Sequence, residues 1–332
     1  MQMTRPFLKL PIRFDADALA AEVRALPPSA WVPHPTGFAG NEAVRLVTPG
    51  GQPTDELEGA MGPTEQLQAC QYIREIMGEL GAVWGRSRLM GLAAGREVPR
   101  HVDTHYYWRT HLRIHIPVIT NPGVLFTCGD ETVHMAAGEC WVFDSFQWHR
   151  VENQGGAQRI HLVIDTVGGG LLPELMAAAE AGGQEPRLVR PGESRGGQLL
   201  FEQVNAPTVM SPWEMRCHLA FLAGQVNSDP LLPGVIARVD QFIDAWAAAW
   251  AHFGTNDEGH ASYAQLIQAV RVDLAKLGGD RITLRNSWPL YHMFDQLIFQ
   301  MALPRPKHHQ LVAGSLASAS QSAAYATSRV TG

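Results

Sequence analysis

The spacing of hydrophobic and polar positions changes twice along the chain and divides it into three regimes. In the first 85 residues the run "FLKLPIRF" predicts a strand. It is followed by "DADALAAEVRAL", which predicts an amphipathic helix opening on Asp15 or Asp17 as N-cap and stopping at Pro27-Pro28. A loop rich in Gly and Pro comes next, and "EQLQACQYIREIMGELGAVW" returns to helical spacing. From Ser87 to Thr166 the period shortens. Runs of β type ("SRLMGLA", "LRIHIPVIT", "GVLFTCG", "CWVFDSF", "RIHLVIDT") alternate with Gly, Asn and Pro at the spacing of antiparallel sandwiches or small barrels, so this block reads as a β-barrel.

Residues 167–199, with "GGG", "AGGQEP" and "RPGESRGG", read as a linker by composition. Residues 1–166 are then one domain, a β core with N-terminal helical support. Beyond Leu200 the spacing is helical again ("VIARVDQFIDAWAAAWAHF", "SYAQLIQAVRVDLAKLGG", "WPLYHMFDQLIFQMAL"), which predicts a small helical domain or lid over 200–305. Its amphipathic helices can cover a pocket mouth or pair with a second copy in a homodimer. The tail, 306–332, is mostly small and polar and predicts disorder.

Composition narrows the partners. With 332 residues, 45% hydrophobic and 17% charged, the chain can bury a large core. Lys plus Arg number 26 and Asp plus Glu 32, giving a formal charge of −6, and no basic run tracks a phosphate backbone, so nucleic acid is not an expected partner. Cys70, Cys128, Cys140 and Cys217 lack CxxC spacing, which points to a reducing, cytoplasmic setting. No uncharged apolar run is long enough to span a bilayer, so no membrane partner is expected either.

Candidate chemistry concentrates in "HVDTHYYWRTHLRIHIPV", residues 101–118. In an extended segment residues i and i+2 share a face, so His101 and Asp103 project together while Val102 points away. A third imidazole from a later strand would complete the two-histidine, one-carboxylate arrangement that leaves open positions on a non-haem Fe(II), and His149, after the strand "CWVFD", is the natural candidate. Ten residues on, Arg159 opens "RIHLVID", whose alternation sends Arg159, His161 and Val163 one way. A guanidinium there can grip a carboxylate inside the barrel by a bidentate pair.

The ordered series "RLMGLAAGREVPRHVD", "RIHIPVITNPGVLF" and "VHMAAGECWVFDSFQWHRVENQGGAQRIHLVID" resembles the aspartyl/asparaginyl β-hydroxylase family of Fe(II)/2-oxoglutarate dioxygenases, with its bacterial members and the related free-proline hydroxylases. The resemblance spans roughly residues 30 to 166. It implies a mainly β, double-stranded β-helix core (jelly roll, cupin-like) with flanking helices, and Fe(II) on His101, Asp103 and His149. It implies that Arg159 binds the distal carboxylate of 2-oxoglutarate, with O2 as the other cosubstrate. By the same resemblance Arg113 and His115 face the other cosubstrate carboxylate or the substrate, against an orienting role on the same inner face. The vertebrate peptide hydroxylases that name the family carry glycine where this chain has Asp103, so the chain looks more like the bacterial branch. Asp103 also argues against a halogenase, which needs that position vacant.

The expected activity is hydroxylation of a C–H bond in a carboxylate-bearing small molecule or peptide, with release of succinate and CO2. Arg45, in "NEAVRLVTPGG", and Arg88, in "SRLMGL", are candidates for substrate binding, each against a structural role. The rival reading is a metal-binding cupin-like sensor or non-oxidative enzyme without 2-oxoglutarate, and Arg159 discriminates the two. His161 either lines the cavity or is a hydrogen-bonded core residue. His105 and His111 are expected in loops or facing outward, Gly138 in a turn needing positive φ, and Asp144 as a turn cap.

Overall fold

The alternating run at the N-terminus becomes β1 (Phe7–Phe14), and Asp15 caps α1 (Ala16–Arg24) by accepting from the Ala18 N–H. The structure, a computed structural model, describes residues 3–303, so the tail expected over 306–332 lies outside the described residues. Short strands β2 (Val32–Pro33), β3 (Asn41–Pro49) and β4 (Met61–Pro63) follow. The segment from Glu65 folds as two helices, α2 (Glu65–Ala69) and α3 (Gln71–Leu80), because Cys70 leaves the helical region at φ −95, ψ 92.

Next come β5 (Val83–Leu92), β6 (Arg96–His101), α4 (Tyr106–Thr110), β7 (Leu112–Ile119), β8 (Val124–Cys128) and β9 (Glu131–Val133). After them run β10 (Glu139–Phe143), β11 (His149–Asn153), β12 (Arg159–Gly168), α5 (Leu172–Ala181), β13 (Arg187–Val189) and β14 (Leu200–Phe201). The strands form a large sheet ordered β13-β1-β10-β7-β12-β5-β3-β2, with β14 on β5 and β4 on β3, and a small sheet ordered β6-β11-β8-β9. Phe7, Leu92 and Phe143 of the large sheet pack with Val124, Phe126 and Val151 of the small one. On the other face of the large sheet α1 packs on β7, α2 on β3 and α5 on β1, which is why β12 is buried on both faces. This is a double-stranded β-helix with flanking helices, as expected. At the β9–β10 turn Gly138 has φ 78, and a Cβ there would lie 2.2 Å from the Phe14 carbonyl oxygen.

The described chain divides into two compact units. One holds the residues up to Asp103 and Thr110–Asn205; the other holds Thr104–Arg109 and the chain from Ala206. The second contains α6 (Pro212–Gln225), α7 (Leu232–Phe253), α8 (His260–Lys276) and α9 (Leu290–Phe294) around Phe242, Trp246 and Tyr263. Within it Trp246 Nε1 donates to the Met210 carbonyl at 2.8 Å, and the Tyr106 hydroxyl donates to Glu214. No helix among the described residues is long and apolar enough to cross a membrane.

The stretch expected as a linker, 167–199, differs from expectation: it contains α5, and β13 adds a parallel strand to β1. Two of its glycines serve close contact, since a Cβ on Gly196 would sit 1.9 Å from the Gly78 carbonyl carbon of α3 and one on Gly170 would sit 2.2 Å from the Leu80 carbonyl oxygen. The segment is tied down by buried Glu79 of α3, which accepts from the Arg187 guanidinium and from the Arg195 N–H at 2.6 Å. Burial alone would raise the Glu79 carboxyl, but these donors outweigh it and hold the group below the ordinary carboxylate range. Its contribution to stability is therefore present at neutral pH and lost as the pH falls through the depressed value. Glu79→Gln is expected to lower stability by about 1–2 kcal/mol in urea unfolding at neutral pH, and by less in acid.

Candidate active site

His101 ends β6 and His149 begins β11, and the antiparallel register sets them opposite each other with ring centroids 4.2 Å apart. Each ring is oriented by its own chain. Nδ1 of His101 donates to the Pro99 carbonyl at 2.8 Å, and Nδ1 of His149 to the Gln147 carbonyl at 3.0 Å. That leaves both Nε2 atoms as bare lone pairs. Asp103 follows two residues after His101, its own N–H bound to the Ser145 carbonyl at 3.0 Å, and Oδ1 lies 3.9 Å from His101 Nε2. One ligand atom from each of His101, Asp103 and His149 lies within 4.8 Å of the others, a set suited to one divalent metal with open positions.

The electrostatics keep His149 and Asp103 in ligating form. Burial, followed by the neighbouring His101, lowers His149 to about 3, against the opposing pull of Asp103. Burial would raise Asp103, but the Arg113 guanidinium and the two imidazoles hold it below the usual carboxylate range. Arg113 on β7 donates through Nη1 to Asp103 Oδ2 at 3.0 Å and through Nε to Asp165 Oδ1 at 3.1 Å. It thus orients the Asp103 carboxylate.

The inner face of the large sheet extends away from these three residues. On β12 Asp165, Val163, His161 and Arg159 point inward, and His115 of β7 pairs opposite Val163. His115 packs edge-on to Phe126 and Phe143. Its Nδ1 lies 3.4 Å from Nδ1 of His161, so the two rings share a single proton there and one of the two Nε2 atoms carries the other ring's hydrogen. Burial and then Arg159, Arg113 and His149 push His115 well below the ordinary imidazole value; burial and Arg159 do the same to His161. Both rings are neutral.

Arg159 is 4% exposed, and its Nε and Nη2 find no hydrogen-bond partner; the Nε2 atoms of His115 and His161 are buried and unpartnered as well. Burial lowers Arg159 to about 9, which leaves it cationic at neutral pH. A buried guanidinium without a counterion costs several kcal/mol, and a carboxylate ligand recovers that cost. The donors fit an acid such as the distal carboxylate of 2-oxoglutarate.

A second polar group lies on the same face. The register aligns Arg45 of β3, Arg88 of β5, Val163 and His115 in one row across the sheet. Arg88 is 3% exposed, and burial followed by Arg86 lowers it to about 9. Its Nη1 lies 3.2 Å from His34 Nε2. Because arginine only donates, His34 Nε2 accepts there, while its Nδ1 lies 2.8 Å from Thr36 Oγ1 and 3.3 Å from the Thr36 N. Burial and then Arg88 bring His34 down to about 2. Asp55, from the loop between β3 and β4, takes both Nε and Nη2 of Arg45 and lies 3.0 Å from Arg88 Nη2.

His105 and His111 lie in loops, as expected, and both are buried. His111 pairs with buried Glu202 at 3.0 Å, and Nδ1 of His105 accepts from the Tyr107 N–H at 3.1 Å. Asp144 caps its turn by accepting from the Phe146 N–H at 3.1 Å. His34, Asp55 and Asp165 escaped the sequence reading. Asp165 was reachable by carrying the alternation of "RIHLVID" one step beyond Val163; His34 and Asp55 lie in Gly- and Pro-rich stretches with no period to mark them.

In this jelly roll two histidines and one carboxylate converge closely enough to hold a metal ion. Residues 61–168 match the model of the Aspartyl/Asparaginyl beta-hydroxylase family, which bears out the resemblance read from the motifs. Among solved structures, a 2OG-Fe(II) oxygenase family oxidoreductase from Burkholderia pseudomallei is similar at 13% identity and TM-score 0.34, covering 47% of this chain and 92% of that one. A prolyl-4-hydroxylase from Pseudomonas putida is similar at 17% identity and TM-score 0.35, covering 50% and 95%. No curated protein sequence matches the chain.

Proposed function

We propose that this chain is an Fe(II)- and 2-oxoglutarate-dependent dioxygenase that hydroxylates a C–H bond of a carboxylate-bearing substrate, releasing succinate and CO2. The substrate is an amino acid, a peptide residue or a natural-product intermediate. The observation that carries the reading is the buried, unpaired guanidinium of Arg159 on the inner face of the large sheet, close enough to the other end of the site that it and His149 both act on the His115 ring. A metal sensor or a non-oxidative cupin has no use for that cation.

In this reading the two imidazoles and Asp103 hold Fe(II), which together with 2-oxoglutarate supplies O2 activation coupled to oxidative decarboxylation. Arg113 keeps Asp103 ionised and fixes its carboxylate plane. Arg159 holds the distal acid of the cosubstrate, with a hydrogen from His115 or His161 to share the load. Leu92, Phe126, Phe143 and Val151 wall the interior with apolar surface and exclude water. Arg45 and Arg88 bind an acidic group of the substrate and so place its C–H bond near the metal.

The test is O2-dependent succinate release from the Fe(II)- and 2-oxoglutarate-loaded protein across amino acids, acidic peptides, neutral lipids and sugars. Turnover with an acid, giving a product heavier by one oxygen atom, is expected. Productive turnover confined to neutral lipids or sugars would contradict the substrate class.

A further inference from the structure

Arg113 and Arg45 both grip a carboxylate of their own chain, but those carboxylates are mounted differently. Asp165, the partner of Arg113, is part of β12 and is locked in ladder register between β7 and its neighbours. Asp55, the partner of Arg45, comes from a loop. Its side chain is 27% exposed, whereas that of Arg88 beneath it is 4% exposed. The loop is closed at its base by the Gly50 N–H on the Ala60 carbonyl at 2.7 Å, and Asn205 holds Leu57 and Gly59. Among the described residues these ties fall on either side of Asp55, whose carbonyl accepts from Arg86 Nη1 at 3.5 Å and whose side chain contacts Arg45 and Arg88.

The contacts to the two arginines are also unequal. Arg45 is engaged fork to carboxylate. Arg88 has only ion-pair proximity, because its Nη2 is 3.0 Å from Asp55 Oδ1 without hydrogen-bond alignment and its buried Nε has no acceptor. Arg88 therefore retains donors that a better-placed carboxylate would satisfy. Its row leads through Val163 to His115, toward the metal-ligand set.

We propose that Asp55 is a specificity-determining residue: its carboxylate occupies the subsite at Arg45 and Arg88 in which an acidic group of the substrate binds, and the substrate's acid replaces it. The inference rests on the assignment of Arg45 and Arg88 to the substrate. Among the described residues no anion of the chain pairs with Arg159, which takes its ligand without competition, whereas entry at Arg88 requires an acid that outcompetes a tethered carboxylate. Weakly held anions are turned away by that competition, since a tethered group acts at a high effective concentration.

Calorimetric titration of glutarate, with glutaramide as the uncharged control, tests this on full-length protein loaded with Mn(II) and saturating 2-oxoglutarate. Asp55→Asn should bind glutarate on the order of tenfold more tightly than wild type, Arg88→Met more weakly, and glutaramide should not distinguish them. Asp55→Ser should repeat the gain. Glutarate binding that is unchanged, weaker or undetectable in Asp55→Asn overturns the proposal. Failure of both Asp55 variants to fold overturns it too, because a carboxylate on which the fold depends is not one that a substrate exchanges. Failure of the parent assignment reads differently: Arg88→Met then binds glutarate as wild type does.

Discussion

Replacing Asp103 by alanine is expected to cut turnover by more than about a hundredfold and to weaken Fe(II) binding in parallel, beyond the ten- to hundredfold typical of losing a group that only orients a ligand. The site explains the size of the effect. Asp103 is the sole carboxylate among the three converging groups, and it is the anion that offsets the Arg113 charge beside them. Without it, two neutral imidazoles face a dication next to a guanidinium that Asp165 still holds in place. Asp103→Asn keeps the shape and loses the charge, so it separates electrostatics from packing. Fe(II) titration of both variants, with 2-oxoglutarate turnover measured alongside, checks the prediction. Near-normal metal affinity and turnover in Asp103→Ala would remove Asp103 from the ligand set and place this chain with the peptide hydroxylases that work without that carboxylate.

The second large effect is expected at Arg159. Arg159→Met should weaken 2-oxoglutarate by about 2–5 kcal/mol, roughly thirty- to five-thousand-fold, the range for removing one partner of a buried charge pair. Fe(II) binding should be unchanged, because His101, Asp103 and His149 take no hydrogen bond from Arg159. Methionine fills the same volume without burying an unpaired cation, so the variant should be at least as stable as wild type. A rise in thermal midpoint together with lost cosubstrate affinity would mark Arg159 as a binding group. A fall in midpoint with unchanged affinity would mark it as structural.

Much of this site was legible in the sequence because strand alternation fixes which residues share a face. His101 with Asp103, and Arg159 with His161, follow from a period of two. What alternation did not mark were the strands that carry His101 and His149. β6 is "REVPRH" and β11 is "HRVEN", both polar and short, and Pro99 interrupts the first. Their pairing comes from the small sheet closing over Phe126 and Val151, a tertiary cause with no local trace. The segment 167–199 misled for the opposite reason. Its glycines look like a flexible connection, yet Gly196 is there because its backbone abuts Gly78. His105 and His111 lie in loops, where no period signals burial, and it is buried Glu202 that gives His111 a structural reason to be inside.

Asp55 was the least legible of all. Nothing in "GGQPTDELEG" distinguishes one acidic residue from the next, and only the fold brings that carboxylate to Arg45 and Arg88.

The central claim is that Fe(II) and 2-oxoglutarate meet between His101, Asp103, His149 and Arg159. Anaerobic titration of metal-free protein with Fe(II), with and without 2-oxoglutarate, tests it most directly through the weak visible metal-to-ligand charge-transfer band. The account predicts that the band appears only when both are present and disappears in Arg159→Met at limiting cosubstrate. Metal binding without the band at any 2-oxoglutarate concentration would contradict it and favour a non-oxidative metal protein.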